Sequence, residues 1–562
     1  MNVTGENVAN VHTPGYVRRR AELRELPPYQ SGNLLLGTGV DVTEVKRLVD
    51  SVLDRRVAME KGESGFWEAL SDVAMSVETV LNEHQGMGLN DVLTKFWDAW
   101  QSLSVNPEGT AERDIVVESA LNLVESFDGA KNDILNTVKD GVSRIKDWVD
   151  EANRLIKEIA GLNRKITEVE SQGTNANELR DSLSLKLKRL SELVGITYHT
   201  DAKKGVQVFL PNGISLVDGG DYRTLSFSEG DFYRKIVGFL NDKPYFREVS
   251  FEKDYLKIEA AGEDVTEVLG GKIGGTLKGV VGFSDDTLRR LNDLASEIIY
   301  QVNKRHVEGI GRQPITSLTS EVTVSDKNKA ISEQENLLFK DRLKAGAFEI
   351  KIWDSENNLV NTTMINVSPD DTVDLVVQKI NLIDHLDAFV SSSGKIVIQA
   401  DSGYSFSFDN DTSDFLVAFG FNNFFKGDSI YDMGVSDRIK ANHLYVAAGK
   451  TPNPGDNTVA LEIAQLPFER IMEGNETFGG YYDRVVSELA TKVSRVKNVS
   501  DDTKAFLAQL EDKWQSVSGV NLDEEMTNLI KFQRAYEASA RFITTVDEMI
   551  NTVVNRMGVV GR

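Results

Sequence analysis

Residues 138–166, VKDGVSRIKDWVDEANRLIKEIAGLNRKI, decide the architecture. Val138, Val142, Ile145, Val149, Ala152, Ile156, Ile159 and Ile166 recur at alternating steps of four and three, and Asn163 takes the one polar place in the series. That spacing is a heptad seam. The amphipathic run around it covers residues 110–171, and a continuous helix of that length spans roughly 90 Å at 1.5 Å per residue. A helix so long suits a rod, a bundle or a filament subunit rather than a compact enzyme.

The flanking segments extend the helical theme. In LNDVLTKFWDAWQSLSVNP, Leu93, Phe96, Trp97, Trp100 and Leu103 share one stripe, which Asn106-Pro107 stops. Such an aromatic stripe reads as core. Trp67, Leu70, Val73, Ala74, Val77 and Val80 continue a helix over Phe66–Leu81, and Val45, Val49, Val52 and Arg56 suggest that helical spacing begins near Val42. Residues 16–42 read as extended. A further amphipathic helix follows in NELRDSLSLKLKRLSELVGI, with Asn177 or Thr174 as its expected cap. Strand chemistry appears over 196–262, where GVQVFLPNGISLVDGG alternates around a Pro-Asn-Gly turn. After a glycine-rich lead-in, Leu288, Leu291, Leu294, Ile298 and Val302 line another helix. Residues 313–430 read as an α/β module. Phe348, Ile350 and Ile352 alternate, a short helix is expected to be capped by Asp370 or Asp371, and GKIVIQA and YSFSFD are strands.

The last run, 521–557, is helical and admits two overlapping heptad registers. One uses Leu522, Met526, Leu529, Tyr536, Ile543, Ile550 and Met557; the other brings in Phe532, Val546 and Val553. The apolar face is therefore wide and needs a partner. At the other end, Asn7 and Asn10 lead into Thr13-Pro14-Gly15-Tyr16. Pro14 suits position i+1 of a turn and Gly15 the positive φ of position i+2. Residues 2–10 thus read as the end of a helix whose earlier turns are missing, the natural mate for the C-terminal ridge.

Bulk properties narrow the chemistry. The 562-residue chain is 40% hydrophobic and carries a net charge of −24. That charge repels nucleic acid, and Arg18-Arg19-Arg20, closely followed by Glu22 and Glu25, reads as a solvated or interface strand. No stretch is apolar enough for membrane insertion, and no cleavable signal peptide opens the chain. Absence of cysteine removes disulfides, thiolate metal sites and cysteine nucleophiles. AAGKT at 447–451 fails as a phosphate loop because Leu444 stands where glycine is required. DNDTSD at 409–414 fails as a calcium loop, with Asp414 and Gly420 at the glycine and glutamate places, and reads as a solvated turn. The scattered histidines make no zinc pattern, and no nucleophile elbow occurs. The expectation is no catalytic, cofactor or metal site.

NVANVHTPGYVRR and residues 518–555 resemble the end motifs of bacterial flagellar axial proteins. GTGVDVTEVKRLVDSVLDRRVAMEKG, NELRDSLSLKLKRLSELVGI, GGKIGGTLKGVVGF and VSDRIKANHLYVAAGKTPNPGDNTVAL resemble the helical part of the hook-associated, hook–filament junction members. The resemblance implies a structural role in motility, with a multidomain α+β fold: an elongated flagellin-like helical bundle, an inserted β-rich or α/β outer module and a terminal coiled-coil helix. The expected division is a remnant of the inner helix with an extended linker (1–40), a bundle in three parts (41–195, 263–312 and 431–520), a β-hairpin subdomain (196–262), the outer module (313–430) and the inner C-terminal helix (521–562). It also implies partners: the hook protein, a second hook-associated junction protein, further copies of this chain in a ring or tube, and an export chaperone on the C-terminal helix. Export would use the flagellar type III route without a cleaved signal, giving an extracellular location. Family members carry more helix ahead of Asn7, so a chain beginning here is expected to be a soluble monomer. Other axial subunits, or an enzyme or adhesin displayed on the outer module, are the alternatives.

Overall fold

The computed structural model describes residues 1–81, 88–201, 205–229 and 256–556. Its helices are α1 Asn2–Ala9, α2 Ser51–Leu81, α3 Leu89–Val105, α4 Thr110–Ser171, α5 Asn177–Val194, α6 Gly271–Gly279, α7 Asp285–His306, α8 Val373–Ile380, α9 Phe415–Phe419, α10 Asp437–Ala441, α11 Thr458–Gln465, α12 Phe478–Ser518 and α13 Leu522–Arg556. The fold is mixed helix and sheet with a long C-terminal helix.

The 62-residue α4 is the spine. Every position of its heptad series, Asn163 included, is buried. α3 and α5 pack along it, α2 crosses α5 and α6, and α12 runs beside α2. The Leu93–Leu103 stripe of α3 and the Leu288–Val302 face of α7 lie in this same core. Glycine sets the closest crossing: a Cβ on Gly275 of α6 would stand 2.1 Å from the Phe66 carbonyl of α2. The glycine-rich lead-in is thus itself helix, and its lack of side chains lets two backbones touch.

Against α4 lie two small antiparallel sheets: β5 Thr197–Asp201, β6 Gly205–Phe209, β7 Ser215–Asp218 and β8 Asp221–Tyr222 in sequential order, and β9 Leu225–Glu229, β10 Leu256–Ala260 and β11 Glu263–Asp264 with β10 central. The β6–β7 hairpin turns at the Pro-Asn-Gly site, with Gly213 at φ +89°. Two asparagines of α4 hold these sheets. Asn163 accepts from Val206 N–H (3.1 Å) and donates to the Val206 and Gly219 carbonyls (2.8 and 2.9 Å). Asn153 accepts from Leu225 N–H (2.7 Å) and donates to its carbonyl (2.8 Å). Each amide satisfies backbone groups as a neighbouring strand would, so the polar break in the heptad series is a docking point.

A second core lies between residues 300 and 421. β13 Gly346–Asp354 is the centre of one antiparallel sheet, between β14 Leu359–Val367 and β17 Tyr404–Asp409; β16 Ile396–Ala400 is the centre of another, between β12 Ser317–Thr319 and β15 Leu386–Val390. Phe348, Ile350 and Ile352 point into the core as alternation requires.

Several sequence expectations need correction. Helical spacing does not begin at Val42: Val40–Arg47 is strand β4, paired antiparallel with β1 Arg19–Glu25, and helix α2 starts at Ser51. Pairing with a distant strand overrides the local period, and Val40, Val42 and Val45 suit a strand equally. Neither Asn177 nor Thr174 caps α5; Asn177 instead donates to the Val45 carbonyl (2.8 Å), tying α5 to β4. α8 is capped by Thr372, whose hydroxyl accepts from Leu375 N–H (3.2 Å), while Asp371 pairs with Lys379 (2.8 Å). DNDTSD is no solvated turn. Asp409, Asp411, Ser413 and Asp414 are buried where this core meets α7. There Asp414 accepts from Tyr300 (2.9 Å) and Lys304 (3.0 Å), while Asp409 pairs with Lys351 and Lys450. Its carboxylates fasten two cores together.

Candidate assembly site

The N-terminal segment meets the last helix, α13. α1 ends at Ala9, and Asn10 closes it by donating from Nδ2 to the Glu6 carbonyl (3.0 Å) and accepting from Thr13 Oγ1 (3.1 Å). The chain then reverses. Tyr16 N–H donates to the Thr13 carbonyl (3.1 Å) with Gly15 at φ +79°, the type II turn expected of Pro14-Gly15. Gly15 lies flat on Leu185 of α5, 3.4 Å from an added Cβ.

Asn7 locks the elbow. It is 1% exposed, accepts from Arg19 N–H (3.0 Å) and the Tyr16 hydroxyl (2.9 Å), and donates to the Arg19 carbonyl (2.9 Å). Burial pushes the Tyr16 phenol up to about 12, against the pull of Arg19. Asn7, Asn10, Thr13 and Tyr16 thus form one hydrogen-bonded unit, with Pro14 exposed at its tip.

The arginine triplet that follows divides its work. Arg18 reaches the first turn of α13, bidentate to Glu524 (2.7 and 3.1 Å) and bonded to buried Glu525 (2.8 Å). Its backbone N–H also caps α12 at the Ser518 carbonyl (2.9 Å). The hydrogen bonds to Glu524 raise the Arg18 pKa against burial. Buried Arg19 lies among Glu6 (3.1 Å), Glu178 and Asp181 (both 3.5 Å). Asp181, which also binds Arg47 at 2.6 Å, has its carboxyl pushed up by burial despite both guanidiniums. Arg20 is exposed. Arg18 and Arg19 thus face an interface, and Arg19 and Arg20 open strand β1 Arg19–Glu25.

Sequence reasoning missed the anchor beside it. Val17, Leu53, Val57, Leu510 and Trp514 form a small apolar cluster. Asp54 accepts there from Trp514 Nε1 (3.0 Å), Lys188 (2.7 Å) and Ser184 (2.9 Å), and Lys188 lies 4.0 Å over the Trp514 ring. No local pattern announces contacts spanning about 460 positions of sequence separation.

Beyond its first turn α13 is open. α1 packs against it, yet Leu522, Met526, Phe532, Tyr536, Ile543, Ile550 and Val553 are exposed, and Leu529 and Val546 are half-buried. Met557 lies outside the described residues. Such a row on one helix is a surface for packing against other helices. The β1–β4 arm adds exposed Leu23, Tyr29, Leu34, Leu35 and Val42, on strands β2 Tyr29–Ser31 and β3 Leu34–Leu36 and their neighbours.

Residues 514–557, the end of α12 and all of α13, match the family described as flagellar basal body rod FlgEFG protein C-terminal. Residues 74–315, containing α3 to α7, match the family described as flagellar hook-associated protein FlgK helical domain. Over 100% of the chain it is 26% identical to flagellar hook-associated protein 1 of Bacillus subtilis (strain 168), covering 96% of that protein. It is 25% identical to the protein of the same name from Salmonella typhimurium, with 99% and 96% covered. The hook junction protein FlgK of Burkholderia pseudomallei shares the fold at TM-score 0.54 and 14% identity, over 83% of this chain and 100% of that one. Along its whole length the chain is thus similar to proteins named flagellar hook-associated protein 1.

Proposed function

We propose that the chain joins the flagellar hook to the filament, working by assembly rather than turnover. The carrying observation is α13, a 35-residue helix held at its first turn while its apolar ridge stays exposed. Full-length alignment with relatives named for hook association supports the same reading. In this proposal the terminal helices α1 and α13 pair with those of neighbouring copies in the wall of a tube. The α2–α7 and α12 bundle stacks outside them, and the 313–430 module projects furthest. The hook protein lies on one side, a second hook-associated junction protein on the other. Leu522 to Val553 supply the inner contacts, and the Asn7–Tyr16 elbow sets the angle at which the chain leaves the wall. Such a ridge needs covering before assembly, so an export chaperone binds α13 and the chain travels through the flagellar type III route to the cell exterior. Among the described residues no helix is long and apolar enough to cross a membrane.

The test adds the full chain to isolated hooks and counts capped ends by electron microscopy. The chain is expected to cap hooks, and the Ile543→Asp/Ile550→Asp double variant to fold but leave them bare. Equal capping by both removes α13 from the mechanism; no capping by either removes the adaptor.

A further inference from the structure

A cavity of about 250 Å³ opens beside the start of α4, between the loop at 451–456 and strands β13 and β17. Arg113 and Arg312 both line it. Arg113, in the first turns of α4, is 1% exposed. Its Nε donates to the Val446 carbonyl (3.2 Å) and its Nη1 to the Gly109 carbonyl (2.9 Å). Arg312, exposed at the rim, donates from Nη1 to the Glu108 carbonyl (2.7 Å). Among the described residues neither guanidinium is bonded to a carboxylate.

Carbonyl oxygens satisfy N–H groups but do not cancel a charge. A buried cation with no counter-ion is costly, and a guanidinium cannot shed its proton to escape. Burial and repulsion from Arg312 push the Arg113 pKa down to about 10, which still leaves it charged at neutral pH. Glu108 and Asp456 also line the cavity, and Glu112 lies beside Arg113 in sequence, but no carboxylate of the three is bonded to either guanidinium. Asp456 accepts from the Lys450 and Thr451 N–H groups (3.1 and 2.9 Å), the Thr451 hydroxyl (2.7 Å), and the Thr458 N–H and hydroxyl (3.1 and 2.6 Å). Glu112 bonds Asn106 at 2.9 Å, and Glu108 is exposed. In a chain with 87 acidic and 63 basic residues, two guanidiniums on one cavity with no carboxylate bonded to either stand out. The N-terminus of α4 beside it adds a field of the same sign. Clefts between packed units are also where ligands are usually held.

We infer that this cleft binds an oxyanion, a carboxylate or phosphate group, gripped between Arg113 and Arg312. The anion comes either free from solution or as an acidic side chain of a second copy of this chain. Arginine forks match the paired oxygens of both.

The probe is inorganic phosphate, replacing chloride at constant ionic strength, with the melting temperature of the full chain followed. A saturable rise is expected. Arg312→Ala, which removes an exposed side chain, is expected to raise the apparent Kd on the order of tenfold, and Arg113→Gln to abolish the effect. Arg24→Ala, an exposed arginine on β1, leaves it unchanged. If association of the concentrated chain is lost both with phosphate and in Arg312→Ala, the anion belongs to the second copy. Equal phosphate slopes in wild type and Arg312→Ala mean general stabilisation by an excluded, kosmotropic anion and overturn the site. So does indifference to phosphate together with a mass that ignores Arg312.

Discussion

Lowering the pH from 7 to 5 should weaken the packing of α7 against the 422–447 segment through one residue, His306. The ring is fully buried. Nε2 accepts from Ala447 N–H (3.0 Å), which requires the proton on Nδ1, and Nδ1 then donates to the Asn422 carbonyl (2.8 Å). Trp100 and Phe424 close over it, centroids 6.3 and 5.4 Å away. Protonating Nε2 would set two donors against each other in an apolar box. Burial accordingly lowers the His306 pKa from 6.5 to about 4, with Arg438 adding to the effect and the Asn422 carbonyl opposing it. The folded state binds the proton less tightly than the unfolded chain. The stabilisation is therefore full above pH 6.5 and drains away as pH falls towards 4. Linkage puts the loss at about 2 kcal/mol between pH 7 and 5 and about 3 kcal/mol by pH 4. Other groups titrate in that window, so the measurement is a difference. Urea melts of wild type and His306→Gln, which keeps a donor and an acceptor but no titration, are followed by tryptophan fluorescence at pH 7, 6 and 5. Wild type should lose about 2 kcal/mol more than the variant over this range. Parallel pH slopes would show that the ring is not held neutral by these contacts, and the reasoning fails.

Three further outcomes follow from the geometry. Asn163→Leu strands the Val206 N–H and two carbonyls beneath the β5–β8 sheet; a loss of about 2–4 kcal/mol in chemical denaturation is expected, and a stability equal to wild type would mean the sheet is held by its apolar face alone. Gly275→Ala forces a methyl to within 2.1 Å of the Phe66 carbonyl, so α2 and α6 must part and stability should fall by at least about 1–3 kcal/mol; an unchanged melting temperature would refute the close crossing. Arg18→Ala frees the first turn of α13 from Glu524 and Glu525, and hydrogen exchange should quicken over residues 522–530 while α4 is unaffected.

Much of this structure follows from periodicity. The α4 seam, the α3 stripe, the Leu288–Val302 face and the β6–β7 hairpin each repeat a short-range pattern often enough to outweigh local exceptions. The Thr13–Tyr16 turn was legible for another reason: Pro and Gly restrict φ at their own positions, wherever the rest of the chain lies. What escaped was decided across long separations. β4 reads as either helix or strand until β1 is beside it. Asp409–Asp414 has the composition of a solvated loop, and only the cations of α7, β13 and the 450 loop make its burial tolerable. The junction of the N-terminal segment with α13 was half legible. Asn7, Asn10 and Tyr16 were marked by the turn they surround, but their bonding to Arg19, and the pairing of Arg18 with α13 some 507 residues away, leave no local trace.

One device recurs where elements of different kind must be joined. An asparagine exchanges both hydrogen bonds with a single backbone residue: Asn7 with Arg19, Asn153 with Leu225, Asn163 with Val206, Asn303 with Phe425, and Asn381 with Ala388. In each case a helix or its end holds an extended segment in register, which apolar packing alone, lacking direction, does poorly. Through Asn153, Asn163 and Asn303 the device fastens the extended segments around α4 and α7. At the chain ends it operates once, at Asn7, and there it fixes the elbow rather than the ridge of α13. That helix is held by Arg18 at its base and packed by α1, and most of its apolar side is left uncovered. A helix aimed by its first turn and open thereafter has less orientational freedom to lose on meeting neighbours, so more of its buried area appears as affinity. In the proposed assembly, the rigidity of the elbow and the exposure of the ridge are two halves of one device.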